Sequence, residues 1–166
     1  MPQRKNIFLE VSAMNIIWQY LDKRNGAINA LQDYNSMQHI IDHTDEEIAS
    51  VSDRMISLGS PGFSEMPKSG SNPQGNENRI IAAIDEIDVL RERYRQAVEY
   101  MEWFQPAWQA LTEDDRIVLS EFYWKEDDNQ TEALYNLCER FGIERTSVYK
   151  KKNRALAKLA LLLFGK

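Results

Sequence analysis

The sequence predicts an all-α protein: a long coiled-coil-like helical hairpin followed by a C-terminal module of short helices. Three observations predict it. Two apolar stripes repeat every three to four residues, a stretch rich in Gly, Pro and Ser separates them, and the last third changes to short apolar segments with capping residues. At 166 residues, with 43% hydrophobic and 28% charged, the chain has globular composition and enough length to bury a core. Its longest apolar run, Leu159 to Phe164, is far short of the roughly 20 residues of a membrane span, so no membrane partner is expected. Arg4 and Lys5 precede an apolar stretch, but Glu10 and Asn15 interrupt it and no small-residue cleavage site follows, which points to a cytoplasmic protein. Cys138 is the single cysteine. An intrachain disulfide and a cysteine-based zinc site are thereby excluded, and the residue reads as a small buried apolar group.

Along residues 1–58, Ile7, Val11, Met14, Trp18 and Leu21 recur at intervals of four and three, predicting a first helix that ends near Asn25 and Gly26. Ala27, Ala30, Tyr34, Met37, Ile41, Thr44, Ile48, Val51, Met55 and Leu58 continue the spacing, with Thr44 the one polar interruption. Residues 59–76 hold four of the seven glycines and three of the five prolines, which removes amide donors and raises the entropic cost of a helix, so a flexible linker is expected there. Over residues 77–111 the stripe resumes as Ile80, Ala83, Ile87, Leu90, Tyr94, Ala97, Met101, Phe104, Trp108 and Leu111. The stripes suit an antiparallel hairpin, and the pattern leaves open whether they pair within one chain or between subunits. Pro106 should break or kink the second helix near Gln105, leaving Pro106 to Leu111 as a connector.

Residues 112–166 read as three short helices. Thr112 followed by Asp115 resembles a capping box that starts a helix from Glu113 to about Trp124. Lys125 to Asn129 is a polar break. Leu134, Leu137, Cys138 and Phe141 give a second helix its apolar face, and Gly142 can terminate it in the left-handed conformation. A third helix from Arg145 carries Val148, Ala155, Leu159 and Leu162 on one side. Helix, glycine turn, basic helix is the helix-turn-helix layout.

Charge follows the same division. The chain carries a net −6, yet from Arg140 onward eight basic residues face one acid, Glu144, so this end is +7 and the first 139 residues carry −13. On a helical wheel centred on buried Val148, Thr146, Tyr149, Lys150 and Asn153 fall outward, flanked by Ser147 and Arg154. Thr, Lys and Asn can hydrogen-bond base edges in a major groove, Tyr149 can stack or reach a phosphate, and Arg145, Lys151 and Arg154 can neutralise backbone phosphates. Lys152 falls near the buried side, where its stem should pack and its ammonium snorkel outward.

The runs Leu119 to Tyr123, Thr131 to Gly142 and Ile143 to Leu159 resemble region 4 of sigma-70-type factors, most closely in phage and prophage regulators of the ArpU and RinA kind. In those proteins a coiled-coil part and a linker such as Met66 to Gly70 often precede the module, so the resemblance covers most of the chain and is specific from about Thr112 to Leu159. It implies a transcription regulator that binds double-stranded promoter DNA through the helix starting near Arg145, with RNA polymerase as a further candidate partner. Glu144 stands where the pattern usually has an N-capping Ser or Thr.

Other signals carry less chemistry. His39 and His43 lie one turn apart, but a metal site needs further convergent ligands and the chain has no other histidine. The acidic clusters at Asp45, Asp85, Glu113 and Glu126 suit helix starts and solvated faces. The glycines between residues 59 and 75 are not followed by Gly-Lys-Ser/Thr, so no phosphate loop is formed. No enzyme and no cofactor are predicted. A homo-oligomer is expected, with a dimer favoured. A DNA-packaging subunit resembling a small terminase, or a coiled-coil adaptor, stands as the alternative.

Overall fold

Asp22 starts the first helix described. Its carboxylate accepts the backbone amide of Asn25 at 3.1 Å and the Asn25 side-chain amide at 2.6 Å, while its carbonyl accepts the amide of Gly26. This satisfies donors that a helix start otherwise leaves unpaired. The computed structural model describes residues 22–59, 73–125 and 130–165, and every regular element among them is an α-helix. The chain is all-α over these residues: α1 Lys23–Gly59, α2 Pro73–Gln109, α3 Glu113–Tyr123, α4 Gln130–Phe141 and α5 Arg145–Phe164. The stripe from Ile7 to Leu21, Trp18 with it, lies outside the described residues. None of the described helices is long and apolar enough to cross a membrane.

Three sequence expectations about breaks are corrected. Asn25 and Gly26 do not end a helix; they lie in the first turn of α1. Gly26 is there for space, since a Cβ on it would sit 2.9 Å from the tip of the Phe164 ring. The linker expected over residues 59–76 is shorter at its end, because α2 already starts at Pro73, where a missing amide costs nothing and the fixed φ suits the first helical position. Residues 60–72 lie outside the described residues. Pro106 does not end α2, which continues to Gln109. It falls in the last turn, where one backbone hydrogen bond is forgone while Ala107 and Trp108 just beyond it are buried. The connector is therefore only the turn around Ala110 and Leu111 before Thr112.

The described residues divide into two compact units, one within Ser36 to Met101 and the other combining those from Asp22 to Asn35 with those from Glu102 onward. In the Ser36–Met101 unit, Val51, Ile87 and Leu90 form a buried cluster against which Ile48 and Ala83 pack. Thr44, the polar interruption of the stripe, is buried at the seam and donates its hydroxyl to the carbonyl of Ile40, so no bare polar group is left there. Tyr94 is the exception to the second stripe, with 40% of its surface exposed. Outside the seam, Arg54 pairs with Glu86 at 2.9 Å, and Arg95 pairs with both Glu92 and Glu99. The Arg95 hydrogen bond holds the Glu92 carboxyl down to about 2.

In the other unit, α3, α4 and α5 pack on one another around Val118, Leu134, Leu137 and Val148, with Ile117, Phe122, Cys138, Phe141 and Ile143 at the margin. Cys138 is thus half-buried in an apolar setting. A second set of contacts joins these helices to the start of α1 and the end of α2. Trp124 stacks on Tyr34 with ring centroids 4.3 Å apart, lies 4.5 Å from Trp108, and donates its indole N–H to the carbonyl of Leu31 at 3.0 Å. Phe104 and Leu31 are fully buried, as are Leu119, Leu156 and Leu159. Residues 112–166 therefore do not stand as a unit by themselves; Leu31, Tyr34, Phe104 and Trp108 belong to the same body.

Candidate nucleic-acid interface

The segment that carries the basic helix is set by two local devices. Thr112 caps α3, its hydroxyl accepting the Asp115 amide at 3.3 Å. Gly142 takes φ 62°, and the amide of Ile143 reaches back to the carbonyl of Cys138 at 3.2 Å, closing α4 as a glycine-terminated helix does. Glu144 then stands at the N-cap of α5 without a side-chain hydrogen bond. Its carboxylate is exposed beside the first turn.

Val148, Ala155 and Leu159 face inward as the wheel predicts, and Leu156 and Ala160 join them. Leu162 does not; it is 45% exposed. The buried stripe drifts around α5 because 3.6 residues per turn do not hold a fixed spacing over five turns. Of the expected site residues, Arg145, Thr146, Tyr149, Lys150, Asn153 and Arg154 are exposed. They occupy about 13 Å along the helix axis, close to the width of a DNA major groove. Ser147 and Lys151 are half-buried.

The six cations of α5 are accompanied by no acid on the same helix, and they divide sharply. Lys151 pairs with Asp114 at 2.8 Å and lies 4.3 Å over the Phe141 ring, and Lys158 pairs with Asp115 at 2.6 Å. These two lysines dock α5 onto the start of α3. Burial pushes the Asp115 carboxyl up, but hydrogen bonds from Lys158 and Thr112 outweigh it and leave the group below its ordinary value. Lys152 corrects the snorkelling expectation: its ammonium lies 4.3 Å over the Phe122 ring and 5.3 Å over that of Tyr123. Burial lowers its pKa, and the nearby Arg24 charge adds to the effect. Arg145, Lys150 and Arg154 enter no ion pair among the described residues. These are cations on the outward face, whereas Lys151, also expected to meet phosphates, is paired with Asp114.

Asn153 is also engaged. Arg24, on α1, donates to its Oδ1 at 2.7 Å. The sequence reading missed Arg24 because 129 residues separate the pair and no local periodicity links them. Tyr149 is 42% exposed, with its ring 6.2 Å from that of Phe122.

The remaining sequence signals do not converge. His43 Nδ1 lies 2.9 Å from the carbonyl of His39, the two rings are 4.0 Å apart, and among the described residues no group of three or more His, Cys, Asp or Glu is placed to hold a metal. Trp108 and Trp124 are core anchors, whereas Trp103 is 41% exposed and contacts Phe164 at its edge, 5.7 Å between centroids. Comparisons of this chain with protein families, curated proteins and solved structures find no match.

Proposed function

We propose that the protein is a sequence-specific, double-stranded-DNA-binding transcription regulator acting in the cytoplasm, of the kind encoded by phages and prophages. One observation carries the reading: the exposed face of α5 gathers Arg145, Thr146, Tyr149, Lys150 and Arg154, with no acid on the helix and with its three unpaired cations all on that face. Cations already matched by acids add little to phosphate binding, whereas unpaired ones release counterions from DNA. The α4 helix, the Gly142 turn and α5 fit a helix-turn-helix, in which Thr146 and Lys150 near the start of α5 meet base edges and the arginines meet phosphates.

The apolar seam of the Ser36–Met101 unit fits an antiparallel helical hairpin. Exposed Ile56, Ile81, Ile84 and Val89 in that unit favour subunit association, which would join two half-sites in a dimer. RNA polymerase remains a partner to test by co-purification with the DNA-bound form. The same exposed residues also suit a ring-forming packaging subunit, and solution mass separates the two: a dimer fits regulation and a ring of many subunits fits packaging.

The direct test is capture of sheared genomic DNA by the full-length protein, followed by sequencing. A few strongly enriched sites are expected. Uniform recovery of all fragments would contradict sequence-specific recognition.

A further inference from the structure

We propose that Arg24 is a DNA-phosphate contact, so that the DNA-binding surface extends from α5 onto the start of α1, and that Asn153 is its positioning residue. The inference rests on the DNA-binding reading above. It starts from the hydrogen bond of 2.7 Å between the Arg24 guanidinium and Asn153 Oδ1. Arginine can only donate, so the amide orientation is forced: Oδ1 faces Arg24, and the amide nitrogen is turned away from it. Arg24 thus occupies one of the two lone pairs of Oδ1 and holds the Asn153 amide in one orientation. The same bond holds the Arg24 guanidinium at the α5 face.

The guanidinium has five N–H donors and spends one of them on Asn153, and no ion pair among the described residues involves it. The acid beside it in sequence, Asp22, has both carboxylate oxygens engaged with Asn25. Arg24 is exposed and is hydrogen-bonded to exposed Asn153. Its charge is felt at Lys152 and at Tyr123, which places it among the groups of the α5 face. The start of α1 is also pinned against α5 farther along, where Lys23 Nζ donates to the carbonyl of Gly165 at 3.1 Å and Gly26 abuts the Phe164 ring. Arg24 is thus mounted on a fixed element at the edge of the proposed groove-facing surface. A phosphate is the ligand that suits it, because a cation on a helix flanking the reading helix meets the DNA backbone and a planar fork matches phosphate oxygens.

A single phosphate contact contributes a slope of about −0.9 to the dependence of log affinity on log salt, equivalent to about eightfold in affinity at 0.1 M salt. The experiment is a salt titration of full-length protein on a duplex carrying the enriched site, read by fluorescence anisotropy. Wild type is compared with Arg24→Ala, Arg24→Lys, Asn153→Ala and the Arg24→Ala/Asn153→Ala double variant. Arg24→Ala should bind about eightfold more weakly at 0.1 M salt with its slope reduced by about 0.9, whereas Arg24→Lys should keep most of the slope. The double variant should lose less than the product of the two single losses, because Asn153 acts through Arg24. Wild-type affinity and slope in Arg24→Ala would overturn the inference and leave the DNA-binding reading intact. So would an Arg24→Lys slope as low as that of Arg24→Ala, or losses that simply multiply. Absence of any DNA binding by wild type would overturn both.

Discussion

The unit from Ser36 to Met101 and the unit that encloses α3, α4 and α5 are held by different kinds of contact. In the first, Val51, Ile87 and Leu90 repeat one apolar theme along two helices, and the polar Thr44 is accommodated by a hydrogen bond four residues back. In the second, single side chains close long loops: the Trp124 ring reaches Leu31 and Tyr34, the Phe164 ring reaches Gly26 and Trp103, and the ammonium of Lys158 reaches Asp115. A repeated seam spreads its energy over many similar residues. A closure by one ring concentrates it in a few.

Substitutions can break this contrast, and the largest effect should come from the rings. Trp124→Ala removes two ring contacts and an indole hydrogen bond and should cost about 3–5 kcal/mol, read as a fall in the urea midpoint. The isolated fragment 112–166 would lack Leu31, Tyr34, Phe104 and Trp108 altogether. It should show incomplete helicity and no cooperative unfolding, contrary to the separate module expected from the sequence.

Ile87→Asp comes next. It places an unpartnered carboxylate in the seam beside Val51 and Leu90 and should cost about 2–4 kcal/mol, with loss of helicity or of subunit association in sedimentation. A smaller effect is expected at Gly26, where Ala gains helix propensity of about 1 kcal/mol but must displace the Phe164 ring. A net loss in thermal melting would show that the close approach outweighs the propensity.

Asp115 gives the smallest and most specific effect. Its carboxyl lies below the ordinary value when folded, so its contribution is fully present above the ordinary carboxylate range and disappears as pH falls through the lowered value. Removing its partner by Lys158→Ala should flatten the acid limb of stability below about pH 4 while costing under about 1 kcal/mol at neutral pH. Parallel acid limbs for the two proteins would show that the pair is not coupled.

The same contrast explains what could be read in advance. The seam residues Val51, Ile87 and Leu90, the Thr112 cap and the Gly142 turn were legible because each is a local signal, a spacing or a residue with one conformational specialty. Gly26 and Pro106 were misread because local rules treat them as breakers. A glycine can also serve a close approach, and a proline near a helix end forgoes little. On α5 the outward placement of Thr146, Tyr149, Lys150, Asn153 and Arg154 followed from the wheel. The wheel cannot see what another element brings, so it missed the pairing of Lys151 with Asp114, the rings under Lys152 and the hold of Arg24 on Asn153.

The claim that matters most is that the cations of α5 divide into those that bind DNA and those that hold the fold. Two paired variants test it in one assay, Lys150→Gln/Arg154→Gln against Lys151→Gln/Lys158→Gln, with DNA affinity measured across a salt series and thermal melting measured alongside. The first pair should lower the salt slope by about 1.8 and weaken binding without shifting the melt. The second should lower the melting temperature, by an amount matching about 1 kcal/mol, with its salt slope close to wild type. Equal loss of slope in both pairs, or loss in the second pair alone, would contradict the account.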